Sequence, residues 1–361
     1  ATHDIMNATL QTPNGPIPLT RISNPAISAN VALSEIPDVD LSNPMLTDIQ
    51  RKEILDLIRE FDDLWRGGCR GKAVDVEHRI RVLTDRPISS RPRHITEEQK
   101  KIIKEEVDKM LKEGVIRPSS SRYASEVVLV KKKTGDWRFC IDFRQLNKIT
   151  IPDKYPLPRI ADLVRAVQNS WFFAAINLRA GYWQIPMEKE SIKYTAFRCF
   201  LGLYEFVLMP FGLTNAPATF QRVVDFLFND LRFSGVLCYI DDILVHSTTF
   251  EQFVSLLRVV FSRLRAAGLT LNLPKSHFIP RKLKYLGQII VDGKLIPDPG
   301  KVEALKRIKP PTNISDVRSL LGFLGYYHSF IRDYAQLLAP VFDLLRNHKN
   351  TKRQNKTTAV S

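Results

Sequence analysis

The stretch Val236-Leu237-Cys238-Tyr239-Ile240-Asp241-Asp242-Ile243-Leu244-Val245 sets two adjacent carboxylates inside an apolar run. β-Branched and aliphatic residues on both sides predict a strand, a tight turn and a second strand, with the two acids at the tip. Apolar surroundings do not tolerate two unpaired negative charges unless something positive meets them. A pair of divalent cations is the usual answer, because two such ions clamp the attacking and leaving oxygens of a phosphoryl transfer.

Working outward, the chain of 361 residues is long enough for two or three subdomains, and 44% hydrophobic residues suffice for a proper core. A net charge of +15 points to a polyanionic partner, nucleic acid first, against the plainer reading of a merely basic soluble protein. Cys69, Cys140, Cys199 and Cys238 form no C-x-x-C pair, and two lie in apolar strand-like runs. They read as buried thiols in a reducing compartment. Ala1 to Leu10 lacks the basic-then-apolar pattern of a signal peptide, and no apolar stretch is long enough to span a bilayer. An intracellular soluble chain, in cytoplasm or nucleus and with no membrane partner, is expected.

Residues 1–70 read as an N-terminal arm or linker with one helix. Pro, Asn, Ser and Thr fill the first 45 positions without periodicity. Ile49, Ile54, Leu57, Ile58 and Phe61 then recur near helical spacing, and Gly67-Gly68 closes the run. A second helix is predicted from Glu97 to Glu113. Thr96 and Gln99 form its capping box, Ile103, Val107, Met110 and Leu111 its apolar stripe, and Gly114 its stop. Val127 to Val130 and Trp137 to Phe143 predict a hairpin whose tip is Lys131-Lys132-Lys133-Thr134-Gly135-Asp136. A lysine tip can be a solubilising loop; three lysines beside Arg138 favour one that faces phosphate. Helices are predicted over Ala218 to Leu231 and Glu251 to Ala267. Beyond Pro299 the pattern is all helical, Val302 to Ile308 and Ile314 to Phe330, with a polar, basic, frayed tail from Asn347. No internal repeat is present.

Several further blocks follow in a fixed order. They are Trp137-Arg138-Phe139-Cys140-Ile141-Asp142-Phe143-Arg144-Gln145-Leu146-Asn147, Tyr155-Pro156-Leu157-Pro158-Arg159-Ile160, Gly181-Tyr182-Trp183-Gln184-Ile185 and Lys193-Tyr194-Thr195-Ala196-Phe197. Met209 to Gln221, Tyr239-Ile240-Asp241-Asp242 and Tyr285-Leu286-Gly287 complete the set. Together they resemble the reverse transcriptase segment of gypsy-class LTR retrotransposon polyproteins, over roughly Leu46 to Arg346. The resemblance implies an α+β right-hand polymerase with fingers, an antiparallel-sheet palm and a helical thumb. Fingers and palm would occupy 71–294, the thumb 295–346 and a basic polar tail 347–361. The implied activity is nucleotidyl transfer: RNA-directed DNA synthesis from a primer, with a template of RNA or DNA and dNTP substrates.

The roles carried over are specific. Asp241 and Asp242 would hold two magnesium ions, with manganese as an alternative, and Asn177 stands at the third ligand position. Lys131, Lys132 and Arg138 would meet the triphosphate, where ammonium and guanidinium groups neutralise charge. Tyr182 resembles the aromatic gate that leaves no room for a 2′-hydroxyl; without the motif around it, it reads as a plain core tyrosine. Phe211 and Gly212 would lie beneath the templating base pair. Lys275 resembles the lysine that protonates pyrophosphate, although a lone lysine in a turn is usually solvated. Tyr285, Leu286 and Gly287 resemble the primer grip, and Tyr239, Asn215 and Pro217 belong with the primer–template contacts. Neither Asp-Thr-Gly nor Asp-Ser-Gly occurs, and protease, RNase H and integrase activity are not expected from this polypeptide.

The departure is Asn177, where the family carries its first catalytic aspartate. An amide offers one neutral oxygen in place of two charged ones, and magnesium favours carboxylates. Impaired polymerase activity is therefore expected. The alternative is a catalytically silent nucleic-acid-binding pseudoenzyme or a decayed fragment.

Overall fold

The computed structural model describes residues 39–66, 76–89, 94–131, 135–291, 293–308 and 310–357, together with the backbone of two short strands near the N-terminus. Those strands, Thr9–Thr12 and Gly15–Pro18, pair antiparallel within a unit of their own, Ala1–Pro37. The segment read as an arm thus holds a hairpin. The second unit, Asp38–Ser361, carries everything that follows.

At its centre lies a four-stranded antiparallel sheet in the order His277–Phe278, Phe172–Asn177, Asp242–Ser247, Val236–Tyr239. Side chains alternate across a strand, so this sheet has two apolar faces. One receives the helices Ala216–Phe228 and Phe250–Ala266; Phe172 meets the rings of Phe250 and Phe253 there. The other carries Phe173, Leu237 and Leu244, buried against Leu163, Val167, Leu283, Tyr285 and Ile290. Those partners come from the helix Ile160–Ala166 and its C-terminal turn, and from a three-stranded meander, Lys282–Tyr285, Gln288–Val291 and Lys294–Pro297. With both faces covered, the sheet is a rigid base for whatever sits at its ends.

A five-stranded sheet draws its strands from both sides of Phe172–Asn177 in sequence, in the order Ile116–Pro118, Gly202–Phe206, Phe197–Cys199, Ser125–Lys131, Trp137–Asp142. Its pairings are antiparallel except Ser125–Lys131 with Phe197–Cys199. The long hairpin Ser125–Lys131/Trp137–Asp142 is the one predicted; Lys132, at its tip, lies outside the described residues. Thr96 and Gln99 do form a capping box at the head of Glu97–Lys112.

Three local expectations need correction. Ile49 is 80% exposed. The helix Asp48–Glu60 starts at a Thr47 cap, and Ile49 and Ile54 are five positions apart, which turns Ile49 away from the buried Ile54, Leu57 and Ile58. Of the described cysteines only Cys238 is buried; Cys140 and Cys199 are half-buried, and Cys69 lies outside the described residues. The last helix, Tyr334–Thr357, runs through the segment read as a frayed tail. Extending an existing helix adds a bond per residue without a new nucleation cost. The preceding helices are Pro299–Lys306 and Ile314–Tyr326. Among the described residues, no helix is long and apolar enough to cross a membrane.

Candidate active site

Tyr239 and Asp242 are Cα partners, which leaves Ile240 and Asp241 as a two-residue turn. Ile240 has φ +53°, in the left-handed region where glycine is usual in such turns. For a β-branched residue this conformation costs on the order of 1–3 kcal/mol, and it persists only where neighbours hold it. Gln221, from the helix below, is such a neighbour: its Oε1 accepts from the Ile240 N–H at 2.9 Å.

The turn separates the two acids. Asp242 opens strand Asp242–Ser247, and its Cα partner on the other side is Asn177, the last residue of Phe172–Asn177. The ends of three strands therefore present Tyr239, Asp242 and Asn177 side by side. Asp241 instead lies against Gly181, where a Cβ would approach its Cγ to 2.8 Å. The absent side chain makes room for the carboxylate.

The electrostatics follow from this packing. Burial, and then the adjacent Asp242 charge, push the Asp241 pKa up to about 6. Its Oδ1 is buried and has no hydrogen-bond partner among the described residues. Asp242 is open to solvent along one side, yet the protein around it desolvates its carboxylate and raises its pKa; the nearby Asn177 side chain pulls the other way. A buried carboxylate oxygen without a donor, beside a second acid, is a donor set that suits a hard divalent cation. Beside them, paired with Asp242, Asn177 contributes a neutral amide. No group of three His, Cys, Asp or Glu side chains arranged for a metal occurs among the described residues.

Asn177 is fixed from behind. Its N–H donates to Ser276 Oγ at 3.1 Å, and its carbonyl accepts from Asn272 N–H at 2.8 Å. Lys275 sits in the intervening turn Leu273–Lys275, exposed near the end of the same strand.

Tyr182 is nearly buried and stacks on Phe211, with ring centroids 4.9 Å apart and planes at 26°. Its pKa is raised, by burial first and then by Asp241, which puts the ring and the acid in one neighbourhood. Phe211 is half-exposed, with Trp183 on its other flank at 6.3 Å. Gly212 has φ +95°, and Asn147 holds its loop through Gly212 O at 2.9 Å and Thr214 N–H at 2.9 Å. Gln184 anchors the neighbouring turn, donating to Arg179 O and Thr270 O and accepting from Thr270 N–H at 2.7 Å.

Other residues singled out in the sequence lie further off. Lys131 and Arg138 are exposed on the long hairpin, Lys131 with its ammonium 5.8 Å from the Trp137 ring. Asn215 is buried, and its amide joins Ile151 O and Asp153 N–H; Pro217 sits in the first turn of the next helix. Tyr285 is in the core beneath the central sheet, its hydroxyl without a partner among the described residues. Leu286 and Gly287 form the turn after it, with φ +44° and +76°. Tyr326 donates to the Leu286 carbonyl and Tyr327 to the Gly287 carbonyl, so helix Ile314–Tyr326 rests on that turn.

Gln221, Gln184, Asn147 and Gly181 were not singled out as site residues from sequence. Each lies in a quoted block, but neither an amide's hydrogen bonds nor a glycine's close approach leaves a periodic signal, and the partners include residues distant in the chain.

Residues 130–290 match the family model described as reverse transcriptase (RNA-dependent DNA polymerase). The chain is 35% identical over 349 residues to the retrovirus-related Pol polyprotein from transposon opus of Drosophila melanogaster, covering 94% of this chain and 34% of that one. To the corresponding polyprotein from transposon gypsy of the same organism it is 34% identical over 280 residues, 75% of this chain and 27% of that one. It thus spans between about a quarter and a third of the length of those relatives. Among solved structures it is similar to a foamy viral protease-reverse transcriptase in complex with double-stranded DNA, with TM-score 0.72 and 25% identity over 84% of this chain and 53% of that one. A foamy viral protease-reverse transcriptase in complex with RNA/DNA hybrid shares the fold, with TM-score 0.69 and 24% identity over 84% and 41%.

Proposed function

The chain belongs to the reverse transcriptase (RNA-dependent DNA polymerase) family, and on that footing we propose that it binds a primer–template duplex and a dNTP at the Asp241–Asp242 hairpin. The observation that carries this reading is the pair of crowded carboxylates at the ends of the central strands, one with a buried oxygen lacking a donor. Asp241 and Asp242 would hold the divalent ions, magnesium or manganese, that lower the pKa of a primer 3′-hydroxyl and neutralise the leaving pyrophosphate.

The chain's own residues supply the rest. Tyr182, set by its stack on Phe211, lies beneath the sugar and excludes a 2′-hydroxyl. Lys131, Arg138 and the sequence neighbour Lys132 meet the triphosphate from the finger hairpin. Lys275 delivers a proton toward the pyrophosphate, and the Leu286–Gly287 turn steadies the primer. The net charge of +15 draws the duplex in.

Asn177 favours a second reading, a chain that binds nucleic acid and nucleotide but transfers poorly. Its amide faces Asp242 where a third charge would strengthen the hold on a cation. Extension of a primed RNA template by the chain and by Asn177→Asp separates the two. Synthesis by the substituted chain alone supports a binding scaffold one residue away from a polymerase. Synthesis by neither, with duplex binding lost as well, overturns both readings.

A further inference from the structure

The block Tyr155-Pro156-Leu157-Pro158 has no part in the site as described, yet it is wired to it. Tyr155 Oη donates to Asp225 Oδ2 at 2.8 Å. Asp225 Oδ1 accepts from Gln221 Nε2 at 2.9 Å, and the same nitrogen reaches the Cys238 carbonyl at 3.3 Å. Gln221 Oε1 takes the Ile240 N–H at 2.9 Å. Gln221 is fully buried and Asp225 nearly so, with Arg232 Nη1 3.9 Å from the Asp225 carboxylate. Tyr155 is held in turn: its N–H donates to Asp153 Oδ1 at 3.0 Å, and Arg222 lies over its ring at 4.7 Å.

The donor and acceptor arithmetic fixes the amide. A glutamine side chain carries one acceptor oxygen and one donor nitrogen. The Asp225 carboxylate and the Cys238 carbonyl only accept, and the Ile240 amide only donates. One orientation of Gln221 satisfies all three; the flipped one leaves two acceptors facing an oxygen and a donor facing a donor. The contact falls on Ile240, the residue whose left-handed backbone places Asp241.

We propose that Gln221, oriented by Asp225 and Tyr155, is a positioning residue that holds the Ile240–Asp241 turn and so sets the Asp241 carboxylate. None of the three touches the reacting atoms. The effect on synthesis rests on the function proposed above; the effect on the turn does not.

Amide hydrogen exchange at Ile240 tests the turn without any need for activity. In Gln221→Leu, exchange at Ile240 should quicken by about tenfold or more, since its buried bond is lost, and Asp225→Leu, which removes the acceptor that orients Gln221, should quicken it in the same place. Amides further along Val236–Tyr239 and Asp242–Ser247 should hold their rates, and Tyr155→Phe should give a smaller shift in the same place. Gln221→Glu combined with Asp225→Asn exchanges donor and acceptor between the partners. It should recover part of the Ile240 protection that Gln221→Glu alone loses. In an Asn177→Asp background, Gln221→Leu should lower kcat about tenfold with little change in the KM for dNTP.

Unchanged Ile240 exchange in Gln221→Leu overturns the proposal. So does faster exchange spread evenly over both strands, which would mark general loosening. If Asn177→Asp itself makes no DNA while Ile240 exchange responds as stated, the relay stands and the function proposed above falls.

Discussion

Asn177 and Asp242 are direct Cα partners across the two central strands of the sheet, which sets a neutral amide beside a carboxylate. On the function proposed above, a carboxylate at position 177 would add a negative charge beside any bound cation. At an effective dielectric near 20, unit charges ~4 Å apart interact by ~4 kcal/mol, or roughly 10³ in rate. Asn177→Asp is expected to raise primer extension in magnesium by orders of magnitude, read as single-turnover extension of a labelled primer. Equal turnover by both chains would show that position 177 does not bear on the ions.

Gly181→Ala tests the space beside Asp241. Gly181 does not have positive φ, so alanine suits its backbone, but the new methyl would meet the Asp241 carboxyl. In the Asn177→Asp background, activity should fall by about 10² or more, a few kcal/mol at the transition state, while the urea midpoint moves little. A large drop in stability with unchanged kcat per folded molecule would place the clash elsewhere.

Tyr182→Val should widen the sugar pocket. The ring is nearly buried on Phe211 and Phe220, so its loss also costs on the order of 3 kcal/mol of stability. The diagnostic quantity is the ratio of kcat/KM for ribo- and deoxynucleotides, measured in the Asn177→Asp background. It should shift toward ribonucleotides; a constant ratio would reduce Tyr182 to packing.

Binding should survive without catalysis. Duplex affinity, followed by fluorescence anisotropy, should fall steeply with salt, since a protein that neutralises ~6–10 phosphates loses ~10³–10⁵ between 50 and 200 mM. Lys131→Ala with Arg138→Ala should leave that affinity nearly unchanged and weaken capture of dNTP in the ternary complex. Weak, salt-indifferent binding would remove the nucleic-acid reading of the charge.

Acid should unfold the chain through two buried imidazoles. His78 and His246 are nearly inaccessible, each with Nδ1 in a hydrogen bond to a hydroxyl, of Thr219 and Ser170. Burial pushes both pKa values down to about 4. The unfolded chain, with histidine near 6.5, therefore takes up protons first as pH falls. Stability should be full above about pH 6.5 and decline toward pH 4, by roughly 2 kcal/mol per histidine at pH 5. Urea unfolding at pH 7 and pH 5 measures this, and His246→Gln should remove about half of the histidine contribution. An unchanged pH slope in that variant would assign the loss to other groups.

How much of this could be read from the chain depends on the range of the interaction. The Val236 to Val245 run fixed its own hairpin because apolar strands around two acids leave few alternatives. The Thr96–Gln99 cap and the helix stripes were legible for the same reason, since their partners lie three or four residues apart. The ordered motifs carried the family and the right-hand fold. Only the folded chain decided that Asp242 faces Asn177 and that Asp241 turns away to Gly181. It also decided that the amides of Gln221, Gln184 and Asn147 hold the turns around the site. Those outcomes depend on strand register and on hydrogen bonds between residues distant in sequence. Hydrophobic pattern specifies which face is buried, but not which buried amide meets which backbone group, because that choice is made only when the faces have packed.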